Sequence, residues 1–143
     1  MAYGQMCEPG GAEAGGRRRI DTAFLMQDLH SKLVELLISH GVHYRVIDHA
    51  AEGRTALVSA MRGHDVRSAA KCLLMMVKIG KKVTRYVLGV VPGHARLDFE
   101  AVKTVLGATY VSMASPVKVE ELCGSVVGTV LPFSFNPKLK EEG

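Results

Sequence analysis

Lys71-Cys72-Leu73-Leu74-Met75-Met76-Val77-Lys78-Ile79-Gly80 is the stretch that decides the fold. Between Lys71 and Lys78 every residue is apolar, so neither side of an extended chain could be left in water. The run predicts a central strand covered on both faces. Gly80-Lys81-Lys82 supplies a turn, and Arg85 to Val91 returns as a second apolar strand, making an antiparallel hairpin. Pro92-Gly93 ends the return strand, because proline cannot donate to a sheet ladder.

Toward the N-terminus, Leu25, Leu29, Leu33 and Leu36 recur at three- and four-residue spacing and predict a helix from Thr22 to His40. Gly41 ends it. Val42 to Asp48 alternates apolar and polar residues, which predicts a half-buried strand. A polar loop from His49 to Arg54 leads to a short helix over Thr55 to Arg62. Toward the C-terminus the pattern gives a helix near Asp98 to Leu106 and a strand at Thr109 to Met113. A helix over Pro116 to Leu122 follows, capped by Ser115, and then a last strand, Val126 to Leu131, stopped by Pro132. Helices and strands in this order, around an antiparallel hairpin, argue a single α+β domain.

The 143 residues suit one core, and 48% hydrophobic with 22% charged residues is a globular balance. No apolar run reaches the roughly 20 residues of a membrane span, and none resembles a signal peptide, so the expected compartment is the cytoplasm. The net charge of +4 favours a polyanionic partner without naming one. Residues 1–19 are rich in glycine and poor in apolar groups, and are expected to form a disordered tail ahead of a domain spanning 20–143. Arg17, Arg18 and Arg19 close that tail as a solvated patch, with RNA contact the alternative.

Several chemistries find no support. Cys7, Cys72 and Cys123 are odd in number and widely spaced, and read as reduced thiols; Cys72 and Cys123 lie in apolar sequence, where inert packing is the expectation. The six histidines form no ligand pair with one another or with cysteine, so no metal is expected. Gly80-Lys81-Lys82 lacks the upstream glycine and the following Ser or Thr of a phosphate loop, and no GxSxG elbow is present.

Two features stand out. Lys71 opens a very apolar strand. It is either a lysine whose stem packs while its amine reaches water, or a cation held at a rigid strand end and aimed at a phosphate or developing oxyanion. Gly124-Ser-Val-Val-Gly128-Thr-Val-Leu-Pro132-Phe133 is either a plain strand end or a loop presenting backbone groups to a small ligand.

The succession of an early amphipathic helix, His49, the Thr55-led helix, Ala70-Lys71, Pro92-Gly93 with Arg96-Leu97-Asp98, and Gly124…Gly128-x-x-x-Pro132-Phe133 resembles the YbaK/prolyl-tRNA synthetase-associated domain family. The closing run from Ala114-Ser115-Pro116 to Asn136-Pro137-Lys138-Leu139-Lys140 is most similar to the YeaK-like branch. The resemblance covers residues 22–140. It implies a mixed, mostly antiparallel sheet of six or seven strands curled around a pocket and flanked by helices. It also implies hydrolysis, without metal or cofactor, of the ester joining a wrong amino acid to the 3′ end of tRNA. By the same resemblance Lys71 is catalytic, and His49, Thr55, Gly124, Gly128, Thr129, Pro132 and Asn136 bind substrate. Asn136 stands where close relatives often carry histidine, and the chain stops at Gly143 where relatives usually continue.

The expected partner is aminoacyl-tRNA, with a synthetase as a further one, and no DNA. The expected mechanism is attack by water on the activated ester, assisted by the neighbouring ribose hydroxyl, with Lys71 stabilising negative charge. The substrate's α-amino group, a cation like Lys71, would meet backbone carbonyls of the Gly128 to Pro132 loop instead. The alternative is a module of the same fold that binds tRNA or a synthetase without turnover.

Overall fold

The computed structural model describes residues 22–136. The expected tail at 1–19 and the closing residues from 137 onward lie outside the described residues.

The hairpin forms as the sequence predicts. Strand β1 (Ala70–Ile79) pairs antiparallel with β2 (Val83–Pro92), from Ala70 opposite Pro92 to Ile79 opposite Val83. A third strand, β3 (Tyr110–Met113), pairs antiparallel with the far half of β1, Met75 opposite Met113 and Lys78 opposite Tyr110. The order is β2-β1-β3, so β1 is central.

The apolar run is divided between two cores. On one face Leu74 packs with Ala114, Val119, Leu122 and Cys123, the last three from helix α4 (Pro116–Cys123). On the other, Met75 and Val77 pack with Val111 of β3 and with Phe99 and Val102 of helix α3 (Phe99–Val105). Leu74 and Val77 are 0% exposed and Met75 is 2%. Full burial of such a side chain contributes about 1.5–3 kcal/mol, so β1 carries a large share of the fold's stability.

The helices start where their caps are written. Asp98 accepts from the backbone N–H of Glu100 and Ala101 at 2.9 and 3.1 Å, and Ser115 accepts from Lys118 at 3.3 Å. Helix α1 (Thr22–Ser39) keeps Leu29, Leu33 and Leu36 half-buried and Asp28, Lys32 and Glu35 exposed. Helix α2 covers Thr55–Met61. A 3-10 turn at Val66–Ser68, capped by Asp65, joins α2 to β1.

Two expected strands do not form. Val42 to Asp48 pairs with no strand among the described residues, and Val42, Tyr44 and Val46 stay exposed. Alternation marks an extended chain, but a strand also needs a partner edge. Val126 to Leu131 is a turn followed by irregular chain. The Thr129 N–H returns to the Val126 carbonyl at 3.1 Å, and Gly128 adopts a φ of 97°, incompatible with a ladder. The described sheet therefore has three antiparallel strands rather than six or seven in mixed array. The α+β class stands.

Candidate active site

The near half of β1 has β2 on one side and, among the described residues, no strand on the other. Ala69 O accepts from Gly93 N toward β2, whereas Leu74 O accepts from Ala114 N on the β3 side. The N–H and C=O of one residue in an antiparallel strand point the same way, and successive residues alternate. Cys72, in register with Leu74, thus turns its backbone N–H and C=O to the unpaired side.

A cavity of about 450 Å³ lies along this free edge. Five consecutive residues, Ala70 to Leu74, line it. A cavity on a face would recruit alternate residues, so the consecutive run marks an edge. The remaining wall comes mainly from α4 and the 127–130 segment, and is apolar except for Thr55. Among the described residues, Lys71 is the only charged one lining this chamber. Its amine donates to the carbonyl of Ala95. That acceptor is itself held, because the Ala95 N–H donates back to Pro92 O at 2.9 Å and Gly93 N donates to Ala69 O at 2.7 Å.

A second, polar chamber of about 570 Å³ adjoins the first. The two share Gly53, Thr55, Ala70, Gly128 and Val130. Its own wall includes His49, Glu52, Arg62, Ser68, Thr129 and Pro132. The His49 Nδ1 lies 2.7 Å from Ala50 O, so it carries the proton and donates, leaving Nε2 to accept from Arg62 Nη2 at 3.0 Å.

Two loops meet between the chambers. The Glu52 carboxylate accepts from the Arg54 backbone N–H, Nε and Nη2 at 2.8–2.9 Å. These bonds, the side-chain ones foremost, lower its pKa from 4.5 to about 2. The clip fixes the 52–54 turn and sets Gly53 beneath Gly128. Across the site, Gly93 lies against Thr55, where a Cβ would stand 2.9 Å from the threonine Cγ2 and collide with the Val66 carbonyl oxygen.

Of the residues singled out in the sequence, Lys71, His49, Thr55, Gly128, Thr129 and Pro132 all line one or both chambers. Gly124 and Asn136 do not. Gly124 is the C-cap of α4, and Asn136 donates its side-chain N–H to the Glu121 carbonyl at 3.0 Å near the same helix end. Burial in apolar surroundings raises the pKa of both Cys72 and Cys123, in keeping with inert packing. Sequence reading passed over Gly53, the Glu52–Arg54 clip, Arg62 and the Ala95 carbonyl. The acid-glycine-base triplet at 52–54 was a usable signal for the clip. Nothing local in the sequence marks the others.

The family model described as the aminoacyl-tRNA editing domain matches residues 50–141, which takes in the free edge and the described lining of both chambers except His49. The chain belongs to the aminoacyl-tRNA editing domain family. It is similar to the multifunctional Ser/Thr-tRNA deacylase ProXp-y of Escherichia coli strain K12, at 39% identity over 111 residues, 78% of this chain and 66% of that protein. The same figures hold for the protein of that name from Escherichia coli O157:H7. The chain thus spans just under two thirds of these relatives' length. Among solved structures it resembles a putative trans-editing enzyme for prolyl tRNA synthetase, with a TM-score of 0.56 and 26% identity over 80% of this chain and 66% of that one. It also resembles hypothetical protein APE2540, with a TM-score of 0.60 and 25% identity over 73% of this chain and 69% of that one. The resemblance read from the sequence is borne out at the level of the editing-domain family. Among the described residues no helix is long and apolar enough to cross a membrane, and no cluster of metal-ligating side chains occurs.

Proposed function

We propose that this editing domain is a trans-acting hydrolase that cleaves the ester of mischarged aminoacyl-tRNA, releasing the amino acid and the tRNA 3′ hydroxyl. The observation that carries the reading is the pair of adjoining chambers of unlike chemistry, with Lys71 the single cation among the described residues lining the apolar one. An aminoacyl ester is a bipartite ligand. Its amino-acid part suits the apolar chamber along β1, and its ribose and phosphate suit the polar chamber beside α2.

The ester bond then lies near the shared wall of Thr55, Ala70 and Gly128. Water adds to the ester carbonyl carbon, assisted by the vicinal ribose hydroxyl, and the carbonyl oxygen takes up negative charge. Lys71 offsets that charge with N–H groups beyond the one given to Ala95. Collapse of the adduct expels the ribose oxygen, which leaves as a hydroxyl after taking a proton. The 128–132 backbone meets the α-amino group through carbonyl oxygens. Gly124 and Asn136 act at a distance by fixing the end of α4.

Charged tRNA is the substrate partner, in the cytoplasm, and an aminoacyl-tRNA synthetase is the partner that would hand it over. The name of the Escherichia coli relatives makes seryl and threonyl esters the first to try. The test is a deacylation screen over a panel of correctly and incorrectly charged tRNAs. Release well above the uncatalysed rate from at least one mischarged species is expected. No acceleration on any species, with tRNA binding intact, would replace the hydrolase by the binding module.

A further inference from the structure

The charge balance of the polar chamber singles out Arg62. Most cations in ion pairs on this molecule sit beside their acid in sequence: Lys32 on Asp28, Arg54 on Glu52, Arg67 on Asp65, Lys103 on Glu100 and Lys118 on Glu121. Arg62 has no carboxylate within ion-pair distance among the described residues. Its guanidinium is instead bonded to the Nε2 of His49, whose other ring nitrogen is fixed on Ala50 O. A neutral imidazole orients the guanidinium without cancelling its charge, and it occupies only one of five donors. The acid in the same chamber, Glu52, is held on three N–H groups of Arg54 and is thereby largely compensated. The wall of the same chamber includes the neutral residues Ser68 and Thr129.

We propose that Arg62, positioned by His49, is the anion contact that receives a backbone phosphate of the RNA 3′ end, the one on the 5′ side of the terminal nucleotide. This rests on the reading of the site as an aminoacyl-tRNA pocket. Its geometry follows from the two chambers. With the amino acid along β1 and the ribose at the shared wall, the phosphate on C5′, across the sugar from the ester, enters the polar chamber. A planar guanidinium with free forked donors suits a phosphate oxygen pair. Arg62 then contributes to holding the RNA and leaves the bond-breaking step alone, while His49 acts through Arg62.

The probe is a CCA trinucleotide, the common 3′ end of tRNA, with adenosine as the phosphate-free control, titrated into the full chain. Losing a charge-assisted bond corresponds to roughly 10- to 100-fold in affinity. Arg62→Gln is therefore expected to weaken trinucleotide binding about 10- to 100-fold and leave adenosine binding unchanged, with Arg62→Lys recovering part of the loss. His49→Ala is expected to weaken trinucleotide binding, and His49→Gln, which keeps an acceptor for Arg62, to restore it. Turnover of aminoacyl-tRNA by Arg62→Gln should show a raised KM and a nearly unchanged kcat. Equal affinity of wild type and Arg62→Gln for the trinucleotide overturns the assignment even if deacylation stands. A protein that grips the trinucleotide through Arg62 but hydrolyses no ester overturns the proposed function and keeps the assignment.

Discussion

Gly128 rests on Gly53 with no room for a side chain between them: a Cβ at position 128 would stand 2.9 Å from both the Cα and the carbonyl oxygen of Gly53. The contact is one-sided. A Cβ built on Gly53 would meet Gly128 Cα and Val127 O at 3.6 Å, an ordinary contact. Gly128 also holds a φ of 97°, which side chains resist.

This asymmetry gives a prediction for the loop. Gly128→Ala should lose most deacylase activity per folded molecule, because the 127–130 wall must move off the 52–54 turn and both chambers change shape. Gly53→Ala should be milder. Thr129→Ala should be milder than Gly128→Ala, since it keeps the backbone and the N–H bond to Val126 O that shape the loop. Rates on one mischarged tRNA, normalised to folded protein, check the order; equal losses at 53 and 128 would contradict it.

Gly93 predicts a stability effect. A Cβ there would press on Thr55 Cγ2 at 2.9 Å and on Ala69 Cβ at 3.0 Å, and would collide with the carbonyl of Val66. Overpacking of this kind costs about 1–3 kcal/mol. Gly93→Ala should therefore lower Tm in thermal melts. Adding Thr55→Ser should not restore it, because the backbone collision with Val66 remains.

The Glu52–Arg54 clip predicts a pH dependence. The folded-state pKa of Glu52 is depressed to about 2 from an ordinary 4.5. The clip therefore contributes stability that is fully present above 4.5 and is lost as pH falls through about 2. The Tm of wild type should exceed that of Glu52→Gln by a constant amount near neutral pH. That margin should shrink between pH 4.5 and 2 and vanish below. A margin that does not change across this window would show that the carboxylate contributes no charge-dependent stability.

The hairpin and its two-sided burial were legible because the run from Cys72 to Val77 leaves no polar face, a constraint local to the sequence. Lys71 stood out for the same reason, as a charge at the mouth of that run. What it touches was not legible: Ala95 is 24 residues away, and only the closure of β1 on β2 brings the two together. The expected strands at 42–48 and 126–131 misread extended or glycine-bearing chain as paired chain. Alternation fixes which way side chains point, but not whether another edge is free to bond. Conversely, the edge left unpaired among the described residues at Ala70 to Leu73 follows from β3 being only four residues long. That shortness leaves the free edge beside which the cavity lies. Arg62 was passed over because an arginine at the end of a short helix is unremarkable until the absence of a nearby acid is seen in space.

Lys71 carries the central claim, and one measurement addresses it directly: single-turnover hydrolysis of a mischarged tRNA, seryl or threonyl first, by wild type and by Lys71→Ala, each with its Tm. The amine donates to the Ala95 carbonyl, so its loss should cost about 1–2 kcal/mol of stability. The account predicts a folded variant with a modestly lower Tm and hydrolysis reduced at least 100-fold, the scale of removing one group that stabilises an oxyanion. A folded Lys71→Ala protein that hydrolyses the ester at the wild-type rate would contradict it.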